Sequence, residues 1–306
     1  VALSCTVFSS SAESVMASPG GATTDSAQPL GEPHVLERPG CQLHYWVNGP
    51  VHGRPLLLLH AGGLDHHQFD GQMELLARRF RVFAPDLRGH GRSSADAAFT
   101  LEHALADLRA LLDVWALQRI QVVGVALGGL LAQLLHAQEP ERVDGLVLMS
   151  CLPLRRDPPS RWARLAGRMA RGVVRLLPFW IIQAQAAVRM GNRGRVQRYA
   201  SVALARSGKH HLLATWAQVA QTWARSTPSL PVHTLVLYGV YDRILSAQAL
   251  ERVWAQHHPQ VERIPVPGAG HSVAQDNPLF VNAVLAERLW SEGQGEWDVP
   301  GHRGPL

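Results

Sequence analysis

The sequence predicts an α/β fold: a mostly parallel twisted sheet flanked by helices, with a helical cap inserted after the middle of the chain. Three observations carry that expectation. Short apolar runs alternate with longer helical patterns from about residue 34 onward. Runs such as LLLLH (56–60) and GLVLMS (145–150) are apolar almost without a break, as strands buried on both faces are. From residue 153 to about 230 the strand-like runs stop and several helical patterns replace them; the alternation resumes at Val232.

Taken in order, HVLERPGCQLHYWVNG reads as two strands around Pro39-Gly40. LLLLH is the next strand, and a helical pattern runs through LDHHQFDGQMELLARR. RVFAPD is a strand that opens into the glycine loop LRGHGRSS. Thr100 is suited to cap the helix LEHALADLRALLDVWAL, with Glu102 favoured in its first turn by the helix dipole. The strand IQVVG leads into a glycine-framed turn and the helix LGGLLAQLLHAQEP, stopped by Pro140. GLVLMS follows. Beyond the cap come the strand VHTLVLYG, the helix SAQALERVWAQHH, the strand VERIPV and a last helix from about Asn277 to Trp290. The expected organisation is a disordered extension over 1–32, a core built from 33–152 and 231–290, a cap over 153–230, and a disordered tail over 291–306.

Composition narrows the function classes. With 46% hydrophobic and 17% charged residues among 306, the chain can bury a large core. No apolar run approaches the roughly 20 residues that span a bilayer. The first thirty residues, rich in Ser, Ala, Gly and Pro, lack the basic and compact apolar regions of a secretory signal. Val1 with Met16-Ala17 downstream reads as an alternative start codon or as an extension upstream of Met16. Cys5, Cys41 and Cys151 form neither a metal spacing nor a disulfide framework, and a cytoplasmic location is expected.

Four sites fall at the carboxyl ends of strands, where open α/β sheets place ligands. His60-Ala61-Gly62-Gly63 offers backbone N–H groups to a developing oxyanion. Gly124-Val125-Ala126-Leu127-Gly128 is a sharp strand-to-helix turn, with the Leu127 amide beside its centre. Asp242 follows the strand VHTLVLYG, and His271 lies on the loop Gly268-Ala269-Gly270-His271.

These motifs, with DLRGHGRS (86–93) between them, resemble the α/β-hydrolase fold family in its cap-bearing branch, over about residues 34 to 290. The front half is similar to small-molecule esterases and enol-lactonases. The resemblance implies that Asp242 orients His271, that His271 is general base and acid, and that the Gly62 and Leu127 amides form an oxyanion hole. It implies no cofactor and no metal. A small apolar or anionic substrate is expected to meet Ala61, Gly63 and the cap aromatics Trp162, Phe179, Trp180 and Trp216.

The departure is Ala126, where the family pattern G-x-S-x-G has its nucleophile. A methyl group cannot attack, so covalent acyl transfer through residue 126 is impossible. Three readings stay open: an inert form of a Ser-His-Asp hydrolase, base chemistry by the Asp242–His271 dyad alone, or a binding module without catalysis. Ser150, Cys151 and Ser272 are weaker candidates for a replacement nucleophile.

Other features have plainer readings. His60 is expected to pack under the oxyanion loop, and DLRGHGRS to be a structural turn. His66, His67 and Asp70, His210-His211 and His257-His258 are expected on solvated helix faces. The net charge of +5 is concentrated in RWARLAGRMARGVVRLL, where Arg161, Arg164, Arg168, Arg171 and Arg175 form one stripe and Trp162, Leu165, Met169, Val173 and Leu176 another. The preferred reading is a lid helix whose apolar face covers the site. Attraction to an anionic substrate or a membrane surface is the alternative; nucleic acid is not expected, since no recognised binding fold accompanies the charge.

Overall fold

The computed structural model describes residues 31–154, 161–221, 229–231 and 233–291. The expected N-terminal extension through residue 30, and the tail from residue 292, lie outside the described residues.

Strands β1 (Glu32–Arg38) and β2 (Cys41–Asn48) form the expected hairpin, with Gly40 at φ +65° in the turn. Then follow β3 (Arg54–Leu59), α1 (Asp70–Leu76), β4 (Phe80–Pro85), α2 (Leu101–Val114), β5 (Ile120–Val125), α3 (Leu127–Gln138) and β6 (Val143–Met149). After the helical insert come β7 (His233–Gly239), α8 (Ala247–His257), β8 (Glu262–Val266), α9 (Val273–Asp276) and α10 (Pro278–Ser291). Thr100 caps α2 as expected, its Oγ1 accepting from the His103 N–H at 3.2 Å. The helical pattern over 64–79 is broken in two. Asp65 Oδ1 accepts from the His67 N–H, and a short 3-10 turn over His66–Phe69 precedes α1.

The sheet runs β1-β2-β4-β3-β5-β6-β7-β8, with β1 and β2 antiparallel and β3 to β8 parallel. Both faces are covered, as the strand sequences demand. In β3, Leu56 and Leu58 join one core cluster while Leu57 and Leu59 join the other, and all four are buried. Because β4 lies on one side of β3 and β5 on the other, the chain reverses its winding at β3. A crevice opens there at the carboxyl ends of the strands.

Between β6 and β7 the insert holds α4 (Arg161–Leu176), α5 (Phe179–Met190), α6 (Gly194–Ser207) and α7 (Lys209–Gln221). Helices α6 and α7 sit on the loops that follow β3 and β4. The Tyr199 hydroxyl donates to Asp65 Oδ1 at 2.6 Å, and His211 Nε2 donates to the Arg88 carbonyl at 3.1 Å. The joint between α5 and α6 is clamped by Asp276, whose carboxylate accepts from the N–H groups of Asn192 (2.8 Å), Arg193 (2.9 Å) and Gly270 (2.7 Å).

Helix α4 departs from expectation. Its apolar stripe does not cover the site: Trp162, Leu165, Met169, Val173 and Leu176 are all exposed. The contact with the core is made instead through a third face, where Val174 is half-buried. Helices α5 to α7 already fill the space above the crevice.

Candidate active site

The turn after β5 is sharp because its glycines allow it. A Cβ on Gly124 would lie 2.5 Å from the backbone of Gly128 and Gly129, and one on Gly128 would lie 2.0 Å from the Leu59 carbonyl oxygen. The start of α3 is thereby pressed against β3 and β5. Ala126, at the apex, is held at φ +47°, ψ −102°, a conformation that a residue with a Cβ seldom adopts. Its N–H donates to the Met149 carbonyl, and its carbonyl accepts from the Leu130 N–H, each at 2.9 Å. Both ends of the strained unit are tied to neighbouring elements. Leu127 opens α3, so its amide belongs to the first turn, where N–H groups have no partner within the helix and the dipole favours negative charge.

His271 and Asp242 meet across two loops. His271 Nδ1 lies 2.8 Å from Asp242 Oδ2, and both side chains are buried. The other carboxylate oxygen, Oδ1, accepts from the N–H groups of Ile244 (2.7 Å) and Leu245 (2.9 Å). A carboxylate so held is a fixed acceptor. The proton of the imidazole therefore sits on Nδ1, which leaves the Nε2 lone pair for chemistry.

The loop after β3 is fixed from beneath. Gln68, which no motif singles out, accepts from the Ala61 N–H through Oε1 (2.8 Å) and donates through Nε2 to Ser272 Oγ (2.8 Å). One buried amide thus joins the oxyanion-loop candidate to the residue after His271. His60 has the structural place expected of it. Its Nε2 accepts from the Leu87 N–H and its Nδ1 donates to the Ala61 carbonyl, both at 2.9 Å.

Ala61, Gly62, Ala126, Leu127 and His271 line one cavity of about 170 Å³. Of the aromatic residues expected to contact substrate, Trp216 lines it and Trp162, Phe179 and Trp180 do not. Trp162 and Trp180 are exposed, since the faces that carry them point away from the crevice, and Phe179 packs at the edge of the core beside them. Gly63 is also displaced from the cavity: at φ +86° it lies under Leu204 and Leu212, which a Cβ would strike. The remaining walls come from Leu130, Leu152, Leu154, Met190, Thr215 and Val219, with Ile244 and Leu245 beside the acid. No motif marks these residues, because wall residues of this kind look like any other core.

None of the three replacement nucleophiles is activated. Ser150 lines the cavity at φ +47°, but its buried hydroxyl has no hydrogen-bond partner, so no base withdraws its proton. Burial pushes the Cys151 thiol up to about 12, far from the thiolate form. Ser272 Oγ is occupied by Gln68 and Gln275.

DLRGHGRS is the structural turn expected. Asp86 accepts from the His66 N–H, His66 Nδ1 and the Arg92 N–H at 2.7–2.8 Å, and Arg88 forms a two-pronged pair with Asp107, both bonds 2.7 Å. Burial opposes the Asp86 charge, yet the His66 hydrogen bond holds its carboxyl below the usual range. Histidines expected on solvated faces are in part covered. His66 is buried against Trp46, with ring centroids 3.4 Å apart; His258 is buried beside Trp254; His211 is half-buried on the Arg88 loop. The flanking elements close over them, which helical spacing alone does not show. His60, His90 and His211 form a ring-to-ring chain with centroids 5.0–5.2 Å apart, and burial lowers the pKa of each.

Comparison with known proteins agrees with this architecture. Residues 54–189 match the family described as alpha/beta hydrolase fold. The chain is similar to a putative carbamate hydrolase of Variovorax paradoxus, 40% identical over 111 residues, covering 35% of this chain and 42% of the relative. It is similar to 3-oxoadipate enol-lactonase 1 of Acinetobacter baylyi, 30% identical over 98 residues, or 32% of this chain and 37% of the relative. The first curated relatives it matches are spanned over only 31–42% of their length. Among solved structures, a hydrolase from Pseudomonas aeruginosa superposes with a TM-score of 0.72 at 26% identity, covering 85% of this chain and 98% of that one.

Proposed function

We propose that this chain, which belongs to the α/β-hydrolase fold family, is an inactivated Ser-His-Asp hydrolase of a small ester, lactone or similar acyl compound, silenced at Ala126. The observation that carries the reading is the buried Asp242–His271 pair at 2.8 Å, opening on the same cavity as the strained Ala126 apex. Such an acid–base pair next to a sharp turn serves one reaction well. A hydroxyl at the apex would attack the acyl carbon while His271 Nε2 took its proton and later returned it to the leaving group. Asp242 would stabilise the imidazolium, and the Gly62 and Leu127 amides would receive the oxyanion. Relatives named for carbamates and enol-lactones support an acyl substrate class.

With a methyl group at the apex the covalent route is closed. Loss of the nucleophile in serine hydrolases costs on the order of 10⁶ in turnover, leaving about 10³ to 10⁴ over water. Ala126→Ser therefore tests the reading. The expected result is a gain of at least about 10³ in p-nitrophenyl ester turnover, with labelling by a fluorophosphonate probe, both removed by adding His271→Ala. A folded Ala126→Ser protein that neither turns over ester nor takes the probe overturns it. The intact pair also supports a second reading, in which His271 acts as a general base without a nucleophile. That reading requires an activity in the Ala126 protein that His271→Ala abolishes.

A further inference from the structure

We propose that α4 is a membrane-surface helix, which lays its apolar stripe into a bilayer rich in anionic lipid. At about 100° per residue, its residues divide into three arcs. Val174 lies on the arc that meets the core. Trp162, Leu165, Met169, Val173 and Leu176 lie on a second, about 80° wide, and are exposed by 67%, 47%, 66%, 61% and 86%. Arg161, Arg168, Arg171 and Arg175 lie on the third and are exposed as well. A face of five large apolar side chains left in water is uncommon on a soluble surface, and it marks a contact.

The charge decides which contact. Helix α4 contains four turns of sequence without one acidic residue, RWARLAGRMARGVVRL. The arginine arc flanks one side of the apolar stripe, and the Arg161 guanidinium lies 5.4 Å from the centroid of the Trp162 ring. A strongly amphipathic helix of low mean hydropathy, with arginine on the polar side and Trp, Leu and Met on the other, suits the boundary between headgroups and acyl chains. A second copy of the chain fits less well, because α4 carries no acidic residue to pair with the arginines of the facing helix. The helix is too short and too charged to span a bilayer, and among the described residues no helix is long and apolar enough to do so. The attachment also suits a helix that meets a surface. Lys209 Nζ donates to the carbonyls of Arg175 (2.7 Å) and Leu177 (2.8 Å), which closes the C-terminal end of α4 while the stripe stays outward.

The test is flotation of the full chain with large vesicles of phosphatidylcholine alone or with 30 mol% phosphatidylglycerol, at about 0.1 M salt, where the Debye length is about 10 Å. The expected result is at least tenfold stronger partition onto the anionic vesicles. Trp162→Glu with Met169→Glu should remove it by tenfold or more, and Arg168→Gln with Arg171→Gln should remove the preference for anionic lipid. Circular dichroism melts of both variants check that the chain still folds. Failure of the folded wild-type chain to float, or equal flotation of the Trp162→Glu, Met169→Glu variant, overturns the proposal. So does a lipid-free dimer seen by light scattering that the same two substitutions dissolve, since that result gives the stripe to a second copy.

Discussion

Replacing Ala126 by glycine should make the protein more stable. The backbone there is held at φ +47°, ψ −102°, and its N–H and carbonyl are bonded to Met149 and Leu130, so it cannot relax. For a residue with a Cβ such a conformation costs about 1–3 kcal/mol. Glycine removes most of that cost. It adds about 0.4–1 kcal/mol of unfolded-chain entropy, and loss of a half-buried methyl adds roughly 0.4 kcal/mol, half of a buried methylene. The balance is about 1 kcal/mol in favour of Ala126→Gly, which in a domain of this size raises Tm by about 2–4 °C. Urea and thermal melts of the two proteins, read at unchanged m-value, measure it directly. A Tm below that of the parent would refute the reasoning, because it would mean that the apex carries no strain and the surrounding bonds impose none.

Two more outcomes follow from buried groups. Burial holds His60 and His90 below the ordinary histidine value, so the unfolded chain takes up protons as pH falls through about 6.5 while the folded chain does not. Stability is therefore complete above about pH 7 and declines below about 6.5, by up to about 1.4 kcal/mol per pH unit for each ring. Equal urea midpoints at pH 7.5 and 5.5 would contradict this. Asp276→Ala strips the acceptor from three N–H groups, at Asn192, Arg193 and Gly270. Unfolding in urea should show a loss of about 3 kcal/mol or more; a loss under about 1 kcal/mol would show that water replaces the carboxylate.

The sheet was legible because strands buried on both faces are written as unbroken apolar runs, and Leu56 to Leu59 is one. The turn at 124–128, Asp242 and His271 were legible because each stands at a strand end, where chain order implies spatial proximity. Gln68 and Asp276 were not. Each has a partner far along the chain, 204 residues away in one case and 84 in the other, and no local pattern encodes a bond over that distance. The stripe on α4 was visible as a pattern, but amphipathicity gives the angle between two faces and not which of them meets the body. The glycines at 124 and 128 teach a related lesson. A Cβ on either would lie 2.0–2.6 Å from neighbouring backbone, so packing alone retains them, whatever stands at residue 126.

The Asp276 clamp has a mechanical consequence. It ties the corner between α5 and α6 to Gly270, the residue before His271, through a single carboxylate. Any swing of that corner would pull the histidine away from Asp242. The clamp thus couples the position of the insert to the register of the acid–base pair. Elsewhere the insert is held through side chains that touch neither Asp242 nor His271, such as His211 on the Arg88 carbonyl and Tyr199 on Asp65.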